Sequence, residues 1–277
     1  MSAPRAAWEA ELTLKFRRSG DRSILAERRH EGPLVVQKPL YPEGDQVCHA
    51  VLVHAPGGIA GGDRLSVNLS LECGAHALIT TPAAAKWYKS DKRVASQNGR
   101  FKIGDGAILE WLPLESIIFD AADATIETQI ELEGDAVYAG WEITCLGRCA
   151  SGEAFRQGSL RQRLEIYRDG RQVWSDRIAL AGGDRLLTSP VGLGGHHVTG
   201  AMAIAGPGPP PAGLLDACRT LSPLEGEGGV TAMPEMISAR YLGGSAERAK
   251  IYFESLRNVL RPWYAGRKAQ RSRLWDS

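Results

Sequence analysis

The segment Leu71–Leu78, which reads Leu-Glu-Cys-Gly-Ala-His-Ala-Leu, sets a pattern that the chain uses three times. An apolar residue is followed by a tight turn, an alanine and a new apolar strand. The same order returns in Ile103–Glu110 and Leu132–Ala139, at a spacing of roughly 30 residues that is typical of repeat architectures. Such units favour sheets stacked in successive layers, as in a sandwich or an irregular β-solenoid. Turns of this composition also join unrelated strands, so the repeat alone leaves both arrangements open.

Alternation of apolar and polar side chains extends this pattern along the chain. Every second residue between Trp8 and Arg17 is apolar, and Leu65–Leu71 repeats the alternation. A period of two is typical of a half-buried antiparallel strand. Asp169-Gly170 separates two further apolar runs and predicts a tight β-hairpin. We therefore expect a mainly β fold of stacked antiparallel sheets, either a sandwich or an irregular β-solenoid.

Helical periodicity is confined to the C-terminal part of the chain. After a proline-rich break at residues 206–212, the apolar positions from Leu214 to Leu221 follow helical spacing. Ser245 fits the N-cap of a second helix, whose apolar stripe stops at Arg261-Pro262. We expect two helices near the C-terminus. The stripe of the second helix either packs on the sheets or docks a partner.

The bulk composition argues against several classes of function. Hydrophobic residues make up 43% and charged residues 23% of the 277 residues, as in ordinary globular proteins. The formal charge of +1 gives no reason to expect nucleic acid or an anionic membrane as a partner. Met1–Arg5 carries no apolar signal core, no apolar run is long enough to span a bilayer, and the five cysteines form no disulfide framework. We expect one cytoplasmic domain, residues 1–277.

A glycine-rich loop interrupts the alternating segments. Gly57-Gly58 and Gly61-Gly62 enclose two residues and are followed directly by Asp63. Glycine accepts a positive φ and allows close backbone approach, so the two doublets indicate a constrained loop. The residues that follow alternate as a strand. Because no helix N-terminus is then available to bind a phosphate, we do not expect nucleotide binding.

Histidine and cysteine are scattered in ways that argue against a closed metal site. Cys48 and His54 share a face of one predicted strand, but at strand rise they lie roughly 20 Å apart. Cys145 and Cys149 flank a turn at Gly147 that would bring both sulfurs together, although two thiolates alone make a weak site. We expect structural roles for these side chains.

Carboxylates embedded in apolar sequence are stronger candidates for chemistry. The set comprises Asp63, Glu110, Glu115, Asp120 and Glu142. A carboxylate in an apolar strand must find partners or face water inside the fold. Hydrolases use paired carboxylates as acid and base, whereas the simpler alternative is a turn cap or a strand residue facing solvent. Asp63 is the best candidate for a cap, because aspartate bonds its own backbone in turns.

Almost the whole chain resembles one known family. The glycine loop reads His-Ala-Pro-Gly-Gly-Ile-Ala-Gly-Gly-Asp at 54–63, and Thr-Thr-Pro-Ala-Ala-Ala-Lys-Trp-Tyr follows at 80–88. Further matching motifs are Gly32–Gly44, Leu109–Glu115, Gly140–Arg148, Arg240–Ser245 and the closing Arg273–Ser277. Together they resemble the urease accessory protein D family, also written UreD/UreH. The departures are small, such as Ala55 where many members have proline.

The resemblance implies a scaffold for urease maturation rather than an enzyme. Members bind the urease apoprotein and the accessory protein UreF, which recruits UreG, a GTPase that carries nickel. Their β-rich body encloses a water-filled passage for nickel, and no cofactor is tightly bound. Oxygen ligands in such a passage hold a divalent ion weakly enough to release it. We therefore expect a lining for transient nickel made of Asp63, Glu110, Glu115 and Glu142, and a gating or structural neighbour of the glycine loop at Lys86.

Two other functions remain open on the residues alone. A β-solenoid hydrolase would hold two carboxylates at catalytic separation in one cleft. A metal-storage protein would bind its metal tightly without partners, which the scattered histidines and cysteines argue against.

Overall fold

The computed structural model describes residues 7–276, and β-strands dominate this part of the chain. The strands, numbered in sequence order, are β1 Glu9–Ser19, β2 Arg22–Glu31, β3 Leu34–Val36, β4 Cys48–His54, β5 Arg64–Leu71, β6 His76–Thr80, β7 Ala85–Trp87, β8 Ala95–Ile103, β9 Ile108–Trp111, β10 Ser116–Ile118, β11 Ala122–Leu132, β12 Val137–Leu146, β13 Gly158–Arg168, β14 Arg171–Ala181, β15 Val198–Ala205, β16 Glu227–Met233 and β17 Met236–Gly243. The helices are α1 Leu214–Arg219 and α2 Ala246–Ala265. The prediction of a mainly β fold with two helices near the C-terminus is confirmed.

The strands form two sheets that pack face to face. The first sheet has the order β14-β13-β11-β8-β5-β1-β2. The second has the order β16-β17-β15-β12-β9-β6-β4-β3, with β7 and β10 paired beside β12. From β4 to β13 the chain returns repeatedly from one sheet to the other. Successive passes therefore stack as the coils of an irregular solenoid.

The central strands of both sheets run parallel, which corrects the expected antiparallel pairing. In the first sheet β5, β8, β11 and β13 pair in parallel, and in the second sheet β4, β6, β9 and β12 do the same. Antiparallel pairs lie towards the sheet margins, among them the β13–β14 hairpin predicted at Asp169-Gly170. Alternation shows that one face of a strand is buried, but it does not report the direction of the neighbouring strand.

The three-fold repeat of the sequence forms the corners of successive coils. Leu71, Ile103 and Leu132 end β5, β8 and β11 and lie side by side in register. The alanines that follow the turns are fully buried at positions 75, 107 and 136. The repeat is therefore structural, and of the two arrangements left open it selects the solenoid.

The second sheet is interrupted in two of its coils. β6 is separated from β7 by residues 81–84, and β9 is separated from β10 by residues 112–115. The next coil crosses the same region as the continuous strand β12, which pairs with β9 up to Gly140 and with β10 from Thr144. Residues 141–143 of β12 therefore face a gap in the neighbouring coil, and this gap leaves room for a cavity.

Two apolar cores hold the layers together. One lies between the sheets and includes Leu12, Phe101 and Tyr138. The other lies between the second sheet and α2 and includes Trp141 and Phe253. Because side chains alternate along a strand, the even-numbered residues of β12 face the space between the sheets and the odd-numbered ones face the helix.

Helix α2 packs its predicted apolar stripe inside the second core rather than presenting it to solvent. It begins after Ser245, whose side chain accepts a hydrogen bond from the Arg248 N–H as an N-cap. It continues past the predicted stop at Arg261-Pro262 to Ala265. Proline removes one helical hydrogen bond, which tertiary packing of the neighbouring residues outweighs here.

Within residues 7–276 no helix is long and apolar enough to cross a bilayer. The interpretation of Met1–Arg5, and of Ser277 in the closing motif, lies outside the described residues. A single domain over residues 1–277 stays a prediction.

Candidate functional site

A cavity of about 270 Å³ lies between the sheets, beside the interruption of the second sheet. Its wall is formed by inward side chains of the first sheet, by residues 81–86 and by the glycine loop. The exposed residues Gly57, Ala83 and Lys86 mark the end at which it meets solvent. Glu142 is the one carboxylate among the described residues that line it. A volume of this size is large enough to hold several water molecules.

Glu142, Thr144 and Gln162 form a hydrogen-bonded chain that we call the neck. The Gln162 amide donates from Nε2 to the Glu142 carboxylate, and the Thr144 hydroxyl donates to Gln162 Oε1 at 3.1 Å. All three residues line the main cavity, and all three also line a second cavity of about 10 Å³, the size of one water molecule. The neck is therefore the boundary between the two spaces.

The second cavity leads from the neck towards the surface at β14 and β15. Asp176 and Arg177 line it from β14, and residues 199–201 line it from β15. Asp176 forms an ion pair of 2.8 Å with Arg240, whose side chain is 45% exposed. The second cavity is thus lined by the neutral hydrogen bonds of the neck at its inner end and by charged groups at the end that faces the surface.

The environment of Glu142 favours its protonated form. Burial raises the pKa of Glu142 from 4.5 to about 7, and nearby Asp176 adds to the rise, while the hydrogen bond from Gln162 and the charge of Arg240 act in the opposite direction. Both the acid and the carboxylate are therefore accessible to this group near neutral pH.

The glycine loop is fixed against β7. The Ile59 N–H donates to the Lys86 carbonyl at 2.7 Å, which places Lys86 beside the loop as predicted. Gly57 and Gly62 have φ values of 75° and 93°. A Cβ on Gly58 would lie 2.3 Å from the Tyr88 ring, and one on Gly61 would lie 2.7 Å from Ser90 Oγ. Each doublet thus combines a positive φ with a close approach, and the predicted constrained geometry is confirmed.

Asp63 caps the glycine loop. A turn cap was the simpler of the two roles considered for it, the other being a place in the passage lining. Its Oδ1 accepts from the Trp8 N–H and its Oδ2 from the Ala60 N–H, both at 2.8 Å. The Asp63 carbonyl accepts from the Ser96 N–H on β8. The residue is 2% exposed and is not part of the cavity wall. It ties the loop to β1 and β8.

Glu110 lies in a buried ion cluster on the helix side of the second sheet, which corrects its expected place in a passage lining. Its Oε1 accepts from His76 at 2.9 Å and from Arg261 at 2.7 Å, and its Oε2 accepts from Arg257 at 2.8 Å and Tyr264 at 3.0 Å. Burial alone would raise the pKa of Glu110, but Arg257, His76 and Arg261 hold it well below its usual range. These donors occupy the carboxylate, so no face is left for a metal ion.

Glu43 and His49 extend this cluster. Arg261 reaches Glu43 as well as Glu110, and the His49 ring lies 2.8 Å from Glu43 Oε1. Burial alone would raise the pKa of Glu43, but hydrogen bonds from His49 and Arg261 outweigh it and lower the value to about 2. Two carboxylates thus balance two guanidinium groups, as buried charges require. The cluster fastens α2 to the second sheet.

Glu115 is half-buried beside the cavity. Its neighbours Leu114 and Ser116 line the wall, whereas its own side chain is not part of it. Its carbonyl accepts from the Ala85 N–H at 2.8 Å, which joins the two interruptions of the second sheet. A role for the Glu115 side chain towards nickel stays a prediction.

Within residues 7–276 no three histidine, cysteine or acidic side chains converge as a metal site. Burial raises the pKa of the Cys145 thiol to about 12, with Glu115 and Cys149 adding to the rise, so the thiol stays protonated and is a poor ligand. His54 lines the main cavity, and its buried Nε2 has no hydrogen-bond partner among the described residues.

Sequence reasoning missed the neutral members of the neck and the arginines of the ion cluster. Gln162 occupies an inward position of β13 between Leu160 and Leu164, so a polar residue in an apolar alternation was the available signal. Arg257 and Arg261 lie four residues apart within the apolar stripe of α2 and are 2% and 0% exposed. Charged residues on the buried face of a helix imply a partner of opposite charge.

Comparison with known proteins identifies the family. A family model described as UreD urease accessory protein matches residues 9–276. The urease accessory protein UreD of Methylobacillus flagellatus is 46% identical, covering 98% of this chain and 95% of its own length. Proteins of the same name from Azoarcus sp. and Dechloromonas aromatica are each 47% identical, covering 100% and 98% of this chain and 97% and 95% of their own lengths. Since the relatives are accessory proteins, the prediction that the chain is not an enzyme is confirmed. The chain belongs to the UreD family of urease accessory proteins, and its role lies in urease maturation.

Proposed function

We propose that this chain is a scaffold that binds the urease apoprotein and UreF, works with the GTPase UreG through UreF, and guides nickel towards the urease active site. Membership of the family supports the maturation role. The observation that supports passage of an ion is the position of Glu142, a half-buried carboxylate where two cavities meet. All five cysteines carry free thiols, which fits a reducing cytoplasm.

The donor set at the neck suits a cargo better than a resident metal. Glu142 supplies one carboxylate, and Thr144 and Gln162 supply neutral oxygens. Tight sites for nickel or zinc need three or more converging nitrogen, sulfur or carboxylate donors. One carboxylate with neutral oxygens holds a divalent ion weakly, so the ion can move on.

The other predicted residues support the passage in different ways. Lys86 at the solvent end is a candidate for a charged neighbour that influences entry. Asp63 keeps the glycine loop in place, and the Glu110 cluster keeps α2 on the second sheet. Glu142 is therefore the principal candidate for contact with nickel.

The test is co-expression of urease with the other accessory proteins, with and without this chain. We expect active, nickel-loaded urease only when the chain is present. We also expect a tagged form of the chain to co-purify with urease apoprotein and UreF. Full activation and full nickel content in the absence of the chain would contradict the proposed function, whereas activation without co-purification would contradict only the direct partners.

A further inference from the structure

The neck joins the two sheets at the one place where both cavities end. We propose that the side-chain amide of Gln162 is a flip gate, which closes the neck with its NH2 group and opens it by turning its carbonyl oxygen towards a passing cation. This inference rests on the proposed passage and deepens it. It assigns a role to a neutral residue that directly contacts the carboxylate.

The position of Gln162 suits a moving part. It stands on the inner face of the first sheet, in register with Ile126 on one side and Ile178 on the other, so its strand neighbours offer no competing hydrogen bond. Its two partners come from the opposite sheet, where Glu142 and Thr144 face the same space two residues apart on β12. The amide therefore spans the gap between the sheets.

The hydrogen bonds of the neck favour the closed arrangement as long as no cation is present. In the closed arrangement the Gln162 NH2 donates to Glu142 while its carbonyl accepts from the Thr144 hydroxyl. Rotation of the amide by half a turn places the carbonyl beside Glu142 and the NH2 beside Thr144. A hydroxyl both donates and accepts, so Thr144 remains satisfied in either arrangement. The Glu142 carboxylate, however, loses its donor and faces a carbonyl oxygen, so the flip is unfavourable until a cation lies between the two oxygens.

A cation near Glu142 selects the open state. The amide hydrogens carry partial positive charge and are repelled by the ion, whereas the carbonyl oxygen is a ligand for it. With the amide turned, the Glu142 carboxylate and the Gln162 carbonyl face the ion together. Once the ion has moved on, the carboxylate again attracts the NH2 group. A cation therefore stabilises the open state of the gate. An anion does not.

The chain offers a matched control for testing this gate. Gln97 also lines the main cavity from the first sheet and lies at the same level, two strands away from Gln162, but it is not part of the neck. Gln162→Leu removes both amide functions at the neck, and Gln97→Leu makes the same chemical change outside it. Gln162→Met is a second variant with an unbranched side chain, to be used if leucine prevents folding.

Nickel incorporation into co-expressed urease is the first readout. We expect Gln162→Leu to slow it about tenfold, the effect of losing one hydrogen-bonded or ligating contact to a charged species. We expect a clearly smaller effect from Gln97→Leu, which changes the wall of the main cavity but not the neck. Equal rates for the two variants and the unmodified chain would overturn the gate. If the chain is still required for activation, the proposed function would survive that result. Activation without the chain would instead contradict the proposed function itself.

A second readout is independent of urease. In a crystal structure of Gln162→Ala, we expect ordered water to join the two cavities, because no side chain then closes the space between the sheets. The corresponding Gln97→Ala structure should keep them separate. Cavities that remain separate in Gln162→Ala would overturn the gate regardless of the outcome for nickel.

Discussion

Two glutamates of the second sheet, Glu110 and Glu142, take opposite roles at the residue scale. Glu110 is surrounded by donors from His76, Arg257, Arg261 and Tyr264 and stays ionised without any exchangeable face. Glu142 has one neutral amide as its donor and faces water-sized space. The first is therefore a structural anion. The second is the group that would contact the ion in the proposed passage.

Replacing Glu110 by glutamine should destabilise the protein strongly. The substitution leaves Arg257 and Arg261 buried with one carboxylate fewer, and breaking a buried ion pair in this way costs about 3–5 kcal/mol. Urea unfolding at pH 7 measures the loss. The matched control is Glu133→Gln at an exposed corner, for which we expect a change of less than about 0.5 kcal/mol. Similar losses for both variants would contradict the role of the cluster.

Replacing Glu142 by glutamine should stabilise the protein above neutral pH. The pKa of Glu142 in the folded protein is raised to about 7, so the contribution of this group to stability falls as the pH rises from 4.5 through 7. Glutamine stays neutral and still accepts from Gln162. We expect Glu142→Gln to gain on the order of 2 kcal/mol at pH 8 and little at pH 4. A gain that does not depend on pH would contradict the assigned ionisation.

At the element scale, hydrogen bonds between neighbouring corners of the solenoid contribute to stability. The Asp105 side chain on one corner accepts from the Asp135 N–H on the next at 2.8 Å, and the Asp169 side chain accepts from the Gly134 N–H at 3.0 Å. Each bond satisfies a backbone donor that the turn leaves without a strand partner. Consecutive coils are thereby held in register at their ends.

Replacing Asp105 by alanine should loosen this stack. The Asp135 N–H loses its acceptor, and we expect a loss of about 1 kcal/mol in the free energy of unfolding. Asp105→Asn retains a side-chain oxygen and should stay close to the unmodified chain. Urea unfolding of the two variants side by side measures the difference, and equal losses would mean that the hydrogen bond is not the cause.

The sequence predicted the elements better than their pairing. Alternation located β1 and β5, Asp169-Gly170 located the β13–β14 hairpin, and Ser245 located the start of α2. Parallel pairing could not be inferred, because it depends on which coil lies beside which. The candidate site likewise combines a residue that the sequence indicated with contacts that it could not indicate. Glu142 lines the cavity, and its contact with nickel stays a prediction. The two arginines that bind Glu110 lie more than 140 residues away from it along the chain, so no local sequence pattern indicates them.

At the scale of the whole molecule, a solenoid of parallel strands is closed on one side by α2 and left hollow at the interruption of the second sheet. The ion cluster of Glu43, Glu110, Arg257 and Arg261 binds the helix to the sheet, and the cavity lies on the opposite face of the same strands. Closure by the helix on one face and open space on the other are compatible with the scaffold proposed above.

The protein should lose stability in acid because of this cluster. The pKa values of Glu43 and Glu110 are depressed in the folded state, so their contribution is present above the unfolded value of 4.5 and is lost as the pH falls towards 2. Urea unfolding at a series of pH values between these limits measures the slope. Glu43→Gln should make the slope shallower. An unchanged stability of the unmodified chain across this range would contradict the ionised cluster.

The most direct test of the central claim is the nickel content of urease matured with Glu142→Ala in place of the unmodified chain. Glu133→Ala, at the exposed corner, serves as the control. We predict that urease matured with Glu142→Ala contains severalfold less nickel and is correspondingly less active, while the Glu133→Ala chain supports full loading. Fully loaded urease from a folded Glu142→Ala chain would contradict a nickel passage through the neck.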